Sequence, residues 1–487
     1  MLSHRVVPVS ASRSRSFSRS LSNLELPALS TPGRYTISKF VALQDYVARA
    51  TPWRAACAMV LTPIPALACA LAPAFLPLKP PRDGLTWGFA LHGWLIVFIV
   101  STSNIISWKA ITQISPRIYS HTEAVVVGFC CATLQIAVVT VLWLYVAFPI
   151  PFMFISCFGL WVFNLSISNA VVLGRKCVAE RGVLLGSLKR YLPCWAMQMT
   201  QITIYPTLSI IYDRVSEPYQ ILLTLLFPLI KIAMKYAIKK LARQLREFSG
   251  EVAVSGVEIC ASVYQSMIMQ IAPSKLAVGI LMGLDLVQGL FAIKLLMDRP
   301  TVVPRHEVQG QATQVAAIMV ATQRVSSTEL VCVGNSARNS IRESTKTNDK
   351  AHREKAVMRH ALQLAQTAEQ ILLVEYFEVV VPLVNSAYLQ VASRLDSARY
   401  NTKISLFHHD HAALSRALQS IMLYSMLQSI SVVVMHCVMK YRYGISAAYH
   451  LAFVLERHRF SIIGKMAAWL PVLLHFTSMH YGERTNT

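Results

Sequence analysis

"ILLVEYFEVVVPLVNSAYL" (Ile371–Leu389) is long and apolar enough to cross a bilayer, yet it carries Glu375, Glu378 and Pro382. A span of hydrocarbon about 30 Å thick needs about 20 apolar residues in a helix. An aspartate at its centre costs about 2.5–3.5 kcal/mol on insertion scales, and a glutamate is comparable. On a helix, Glu375, Glu378, Pro382 and Asn385 fall at i, i+3, i+7 and i+10, which is one face. Tyr376, Val380 and Val384 point elsewhere. The carboxylates therefore form a stripe that must face the bundle interior, face water, or pair.

The rest of the chain supports a membrane reading. Of its 487 residues, 54% are hydrophobic and only 14% charged, and the mean hydropathy is +0.46. Water-soluble domains carry about 25% charged residues. Apolar runs lie near 55–78, 85–108, 124–148, 152–173, 191–212, 219–237, 252–272 and 277–297, then near 371–393, 417–439 and 460–480. The fold expected is an all-α polytopic membrane bundle of about 11 transmembrane helices. Its parts are a basic Ser/Arg-rich tail (1–54, disordered), eight helices (55–297), a basic cytosolic loop (298–370), three helices (371–480) and a short tail (481–487).

The net charge of +22 sits between these runs. The leader holds eight Lys/Arg, the stretch Arg175–Arg190 five, Lys231–Arg246 six and Arg299–Arg359 ten, while the intervening gaps hold two or fewer. High counts on alternate gaps place the N-terminus in the cytosol under the positive-inside rule. One loop resists: 394–416 falls outside yet carries Arg394, Arg399, Lys403 and Arg416. Either the rule bends there, or 371–393 is re-entrant. The plasma membrane and the endomembranes fit this layout equally well, and a mitochondrial membrane less well.

Two further helices repeat the acidic pattern. Glu251, Ser255, Glu258, Ser262 and Gln265 share a face of 251–272, and Asp285 with Gln288 share a face of the next run. That run opens with Gly279 and Gly283, a G-x-x-x-G spacing that suits close helix packing. Lys231, Lys235 and Lys294 are available as basic partners. Glu251 is expected near a helix end. Pro382 would free the carbonyl of Glu378, and Pro63, Pro65 and Pro73 would kink the first span.

Several stretches resemble a family of multi-pass membrane proteins of oomycetes. They are "VLTPIPALACALAPAFLPLKPPRDG" (60–84), "FPLIKIAMK" (227–235), "VEICASVYQSMIMQIAPSKLAVGILMGLDLVQ" (257–288), "LLVEYFEVVVPLVNSAYL" (372–389) and "YHLAFVLERHRF" (449–460). The resemblance covers most of the chain outside the leader and central loop. It implies a shared membrane fold, places Glu258, Asp285, Glu375 and Glu378 in recurring blocks, and implies no activity.

Other signals are weaker. Arg13, Arg15 and Arg19 each stand three residues before Ser16, Ser18 and Ser22, a spacing basophilic kinases use. The same leader reads as a transit peptide or as a plain positive-inside tail. "FHHDHAA" offers His408, Asp410 and His411, with nothing near to complete a zinc site. The ten cysteines include no C-x-x-C pair, so neither a disulfide framework nor a zinc module is read. No phosphate-binding loop, H-E-x-x-H or G-x-S-x-G occurs, and no enzyme, metal, cofactor or nucleic-acid partner is expected. The expected partners are the lipid bilayer and anionic lipids at the basic loops; protein partners are unassigned. The leading function is transporter- or channel-like passage of a small solute, proton or cation along Glu258, Asp285, Glu375, Glu378 and Asn385. The alternative is a membrane-embedded receptor or scaffold acting through the tail and central loop.

Overall fold

The computed structural model describes residues 35–80, 83–146, 148, 150, 153–271, 275–297, 340–401, 403–443 and 446–476, with backbone alone for 213, 217, 271, 275–277, 295–297, 340–360 and 442–443. The candidate phosphosites Ser16, Ser18 and Ser22, most of the central loop and the last residues lie outside this set.

The described residues are helical, with no strand among them. In chain order the helices are α1 (Ile37–Arg49), α2 (Pro52–Leu61), α3 (Ile64–Ala74), α4 (Trp87–Thr112), α5 (His121–Tyr145), α6 (Met153–Ser156), α7 (Phe158–Leu173), α8 (Arg175–Ala179), α9 (Arg181–Met199) and α10 (Gln201–Arg214). They continue with α11 (Glu217–Leu241), α12 (Ser249–Ile271), α13 (Lys275–Met297), α14 (Ser340–Ala392), α15 (Ser405–His409), α16 (His411–Tyr443), α17 (Ala447–Arg457) and α18 (Arg459–Leu474).

Local chemistry sets the boundaries. Thr51 caps α2 by accepting from the Arg54 N–H, with Pro52 in its first turn. Ser120 and Glu123 close a reciprocal capping box at the start of α5. The chain kinks between α2 and α3 at Thr62 and Pro63, as the prolines predict. Between α11 and α12 a tight 3-10 segment, Ala242–Phe248, carries Arg246 at φ 49°, which turns the chain.

Six helices or helical runs are long and apolar enough to cross a membrane: Pro52–Ala74, Trp87–Thr112, His121–Tyr145, Pro218–Gln270, Ala361–Ala392 and His411–Tyr441. Their outward surface is apolar. On α11, Leu222, Leu225, Leu226, Leu229 and Ile232 are exposed, and on α16 so are Leu423, Met426, Ile430 and Val433. Lys231, Glu258, Glu375 and Glu378 on these runs instead lie inside, a polarity that suits a lipid solvent.

α12 is the axle. Every residue from Phe248 to Ser266 is buried, because α10, α11, α14, α16 and α18 all pack against it. α14 is one uninterrupted helix with Pro382 inside it. The periodic stretch 358–370 therefore runs straight into the glutamate segment, and Ile371–Leu389 is not broken into a hairpin.

Two placements differ from the sequence reading. The leader was expected to be disordered through residue 54, but α1 lies within it and buries Ile37, Lys39, Phe40 and Leu43. Its apolar face meets Ala361, Leu362 and Ala365 of α14. Gly279 and Gly283 do not mediate close packing among the described residues. Both are exposed, and a Cβ at either would meet nothing within 4 Å. Close approach occurs instead at Gly128 against Thr102, and at Gly464, where a Cβ would lie 2.9 Å from the Ser103 carbonyl oxygen.

Candidate functional site

The acidic faces read from sequence do converge. α11, α12, α13, α14 and α16 bring Glu258, Asp285, Glu375, Glu378 and Asn385 into one buried polar belt, each at most 4% exposed. Lys231 stands at its centre, 1% exposed. Its Nζ lies 2.9 Å from Glu258 Oε2 and 2.5 Å from Glu378 Oε1. Lys235, one turn further along α11, pairs with the other Glu258 oxygen.

The remaining carboxylates take neutral donors. Tyr424 donates its hydroxyl to Asp285 Oδ2 at 2.7 Å, and Gln265 donates to the same oxygen. Gln428 donates to Tyr424 at 3.1 Å. Ser431 donates to Glu375, with Gly289 of α13 so near that a Cβ there would sit 3.0 Å from Ser431 Oγ and 3.3 Å from Glu375 Oε1. Asn385 donates to Ser266 Oγ at 2.9 Å.

The belt is therefore unequal in charge. It has two ammonium groups, one of them partly exposed, against four carboxyl groups. In a low-dielectric interior two uncompensated negative charges are costly. Among the described residues no three His, Cys, Asp or Glu side chains are placed to hold a metal ion. The oxygens are spread along the belt: both Glu258 oxygens and Glu378 Oε1 face an ammonium group, Asp285 Oδ2 takes two neutral donors, and Glu375 Oε2 is buried with no hydrogen-bond partner among the described residues.

A second cluster is balanced. Glu251 stands in the first turn of α12, near a helix end as expected, yet is fully buried, its Oε1 3.0 Å from Lys465 Nζ. Ser461 donates to its other oxygen at 3.0 Å, and Ser255 to Oε1 at 2.7 Å. A third cluster pairs Lys39 of α1 with Glu369 of α14 at 2.8 Å. Lys39 Nζ also lies 3.1 Å from His458 Nε2. Burial first, then Lys39, Arg457 and Lys465, holds His458 well below the usual imidazole range.

Sequence reasoning missed Lys39, Lys465 and Glu369. A lone lysine within an apolar run, as at 465, was the available signal. Lys294 is exposed and joins none of these clusters. Pro382 sits on α14 within the belt's length, four residues after Glu378. The "FHHDHAA" stretch is structural. Asp410 accepts from the Ala413 N–H at the start of α16, and His408 Nδ1 bonds the Ser393 carbonyl at 2.9 Å.

A cleft of about 60 Å³ lies away from the belt and is lined mostly by apolar groups such as Ile96, Phe158, Trp161 and Trp469, with Asn104 and Gln135 among them.

No family model, curated protein or solved structure matches this chain.

Proposed function

We propose that the chain is a multi-pass membrane protein that passes protons along the carboxyl groups around Lys231. The observation that carries this is the charge imbalance of the belt, four buried carboxyls against two ammonium groups. Protons are the compensation this geometry accepts most readily: Glu375 Oε2 is buried with no hydrogen-bond partner among the described residues, and no three His, Cys, Asp or Glu side chains there are placed to cage a metal ion. Glu258 and Lys231 hold the frame, and Glu375, Glu378 and Asp285 exchange the proton.

The same reading takes the span count to about eleven with a cytosolic N-terminus. It adds α7, the α9–α10 stretch, α13 and α18 to the six apolar runs, and divides Pro218–Gln270 in two at Arg246. Membership of the oomycete multi-pass family belongs to this proposal, as do anionic lipids at the basic loops.

A second reading is favoured by Lys231 itself. Its contacts to Glu258 and Glu378 tie three helices together, which a receptor or scaffold would also need. The two readings separate in proteoliposomes. A Glu375→Gln/Glu378→Gln variant that folds like the native protein loses proton flux under the first reading. Under the second, native and variant pass none, and removal of residues 1–34 or 300–339 abolishes function instead.

A further inference from the structure

A second polar pocket lies at the other end of the α14 segment, beyond Asn385. Its volume is about 10 Å³, and His92, Tyr388, Ser397, Asn401 and His475 line it with five apolar residues. Most of its polar atoms are accounted for. Ser397 donates to the Ala74 carbonyl, and Asn401 Nδ2 donates to the Leu474 carbonyl at 3.0 Å. His475 Nε2 is 2.8 Å from the Ala70 carbonyl oxygen, and His92 Nδ1 is 3.0 Å from that of Pro73.

Those two carbonyls assign the tautomers. A carbonyl only accepts, so each ring nitrogen facing one carries the hydrogen. His475 is then protonated on Nε2, and its 3.4 Å neighbour, the Tyr388 hydroxyl oxygen, can only accept from it. The Tyr388 hydrogen is left to donate elsewhere. A neutral His92, protonated on Nδ1, presents a bare Nε2 lone pair. That atom is buried and has no hydrogen-bond partner among the described residues, in a side chain 1% exposed. The pocket thus pairs a buried donor without an acceptor with a buried acceptor without a donor. Leaving both unmet costs about 1–3 kcal/mol each. A water needs about 10–15 Å³ of probe-occupied volume and two or more polar partners.

We propose that this pocket binds one water molecule, which accepts from the Tyr388 hydroxyl and donates to His92 Nε2, and that this bridge is an outer station of the proton path. The second clause rests on the function proposed above. Tyr388 follows Glu378 by ten residues on α14, which is about 15 Å along the axis, with Asn385 and Ser266 between them. With His475 doubly protonated, its Nε2 proton passes to the Tyr388 oxygen as the Tyr388 hydrogen passes to the water and a water hydrogen to His92 Nε2, so one positive charge moves from His475 to His92 while the tyrosine and the water stay neutral.

The test uses the full chain in lipid bilayers, labelled with 15N-histidine and assigned by comparison with His92→Gln. Water-to-nitrogen polarisation transfer should reach His92 Nε2, with the ring hydrogen on Nδ1. Tyr388→Phe should weaken that transfer and slow proton flux about tenfold, the effect of one lost hydrogen bond, in a protein that keeps its native helical content. No transfer to Nε2, or a hydrogen found on Nε2, overturns the water site. Transfer present, with unchanged flux in Tyr388→Phe of a protein whose flux Glu378→Gln abolishes, overturns the station. If the native protein passes no protons, the proposed function and the station fall together, while the nuclear resonance result still decides the water.

Discussion

Two buried clusters share α12, and they differ in one respect. Around Glu251, one carboxylate meets one lysine and two hydroxyls, and nothing is left over. About two to four turns further along the same helix, the belt around Lys231 gathers four carboxyl groups for two ammonium groups. A balanced pair only needs to be kept. An unbalanced one must take up positive charge from outside itself, and for that reason it is the candidate for function. Burial alone does not distinguish them, since Glu251 and Glu258 are equally inaccessible.

The comparison breaks most visibly if its cations are removed. Lys231→Met should destabilise by at least the roughly 3–5 kcal/mol that loss of one partner of a buried pair costs, because it strands Glu378 and leaves Glu258 only the partly exposed Lys235. Thermal melting in nanodiscs reads this, and a drop no larger than for an exposed lysine would mean the belt is not held by Lys231. Lys465→Met should cost about 3–5 kcal/mol by the same principle. There, adding Glu251→Gln should restore most of the loss, since a neutral pair leaves no stranded charge. The equivalent rescue of Lys231→Met by Glu378→Gln alone should be partial, because Glu258 remains.

Acid sharpens the picture at the α1 end. His458 has its folded pKa depressed by burial beside Lys39. The unfolded chain binds its proton below about pH 6.5, whereas the folded chain does not. Stability should therefore fall as pH drops below about 6.5, and His458→Gln should flatten that fall. A melting temperature that rises on acidification, or a profile unaltered by His458→Gln, would contradict this.

The smallest effects concern packing. Gly464→Ala places a methyl 2.9 Å from the Ser103 carbonyl oxygen and should cost about 1–3 kcal/mol, the range for overpacking. Gly283→Ala meets open space and should be neutral or stabilising by up to about 1 kcal/mol. Equal losses at the two sites would restore Gly279 and Gly283 as a helix contact.

The class of the protein was legible in the scarcity of charge, and the glutamate face of α14 in its i, i+3, i+7, i+10 spacing. Periodicity reports which side of a helix is polar and says little about what lies opposite. Lys231 and Lys235 could be nominated because they stand at the end of an apolar run. Lys465 and Lys39 could not be paired with Glu251 and Glu369, because those contacts join residues more than two hundred positions apart. The G-x-x-x-G spacing misled for a related reason. Small residues permit close approach, but which small residues meet a neighbour is decided by the bundle. Gly128 with Ala132 and Gly464 with Ala468 carry a similar small-residue spacing, and both glycines touch other helices, as do Gly250, Gly256 and Gly289.

The central claim is tested most directly by proton flux in proteoliposomes for two variants of matched stability. One is Glu251→Gln/Lys465→Met, which neutralises the balanced pair; the other is Glu378→Gln, which neutralises part of the unbalanced belt. The account predicts native flux in the first and loss of flux in the second. Loss in both, or flux undiminished in Glu378→Gln, would contradict it.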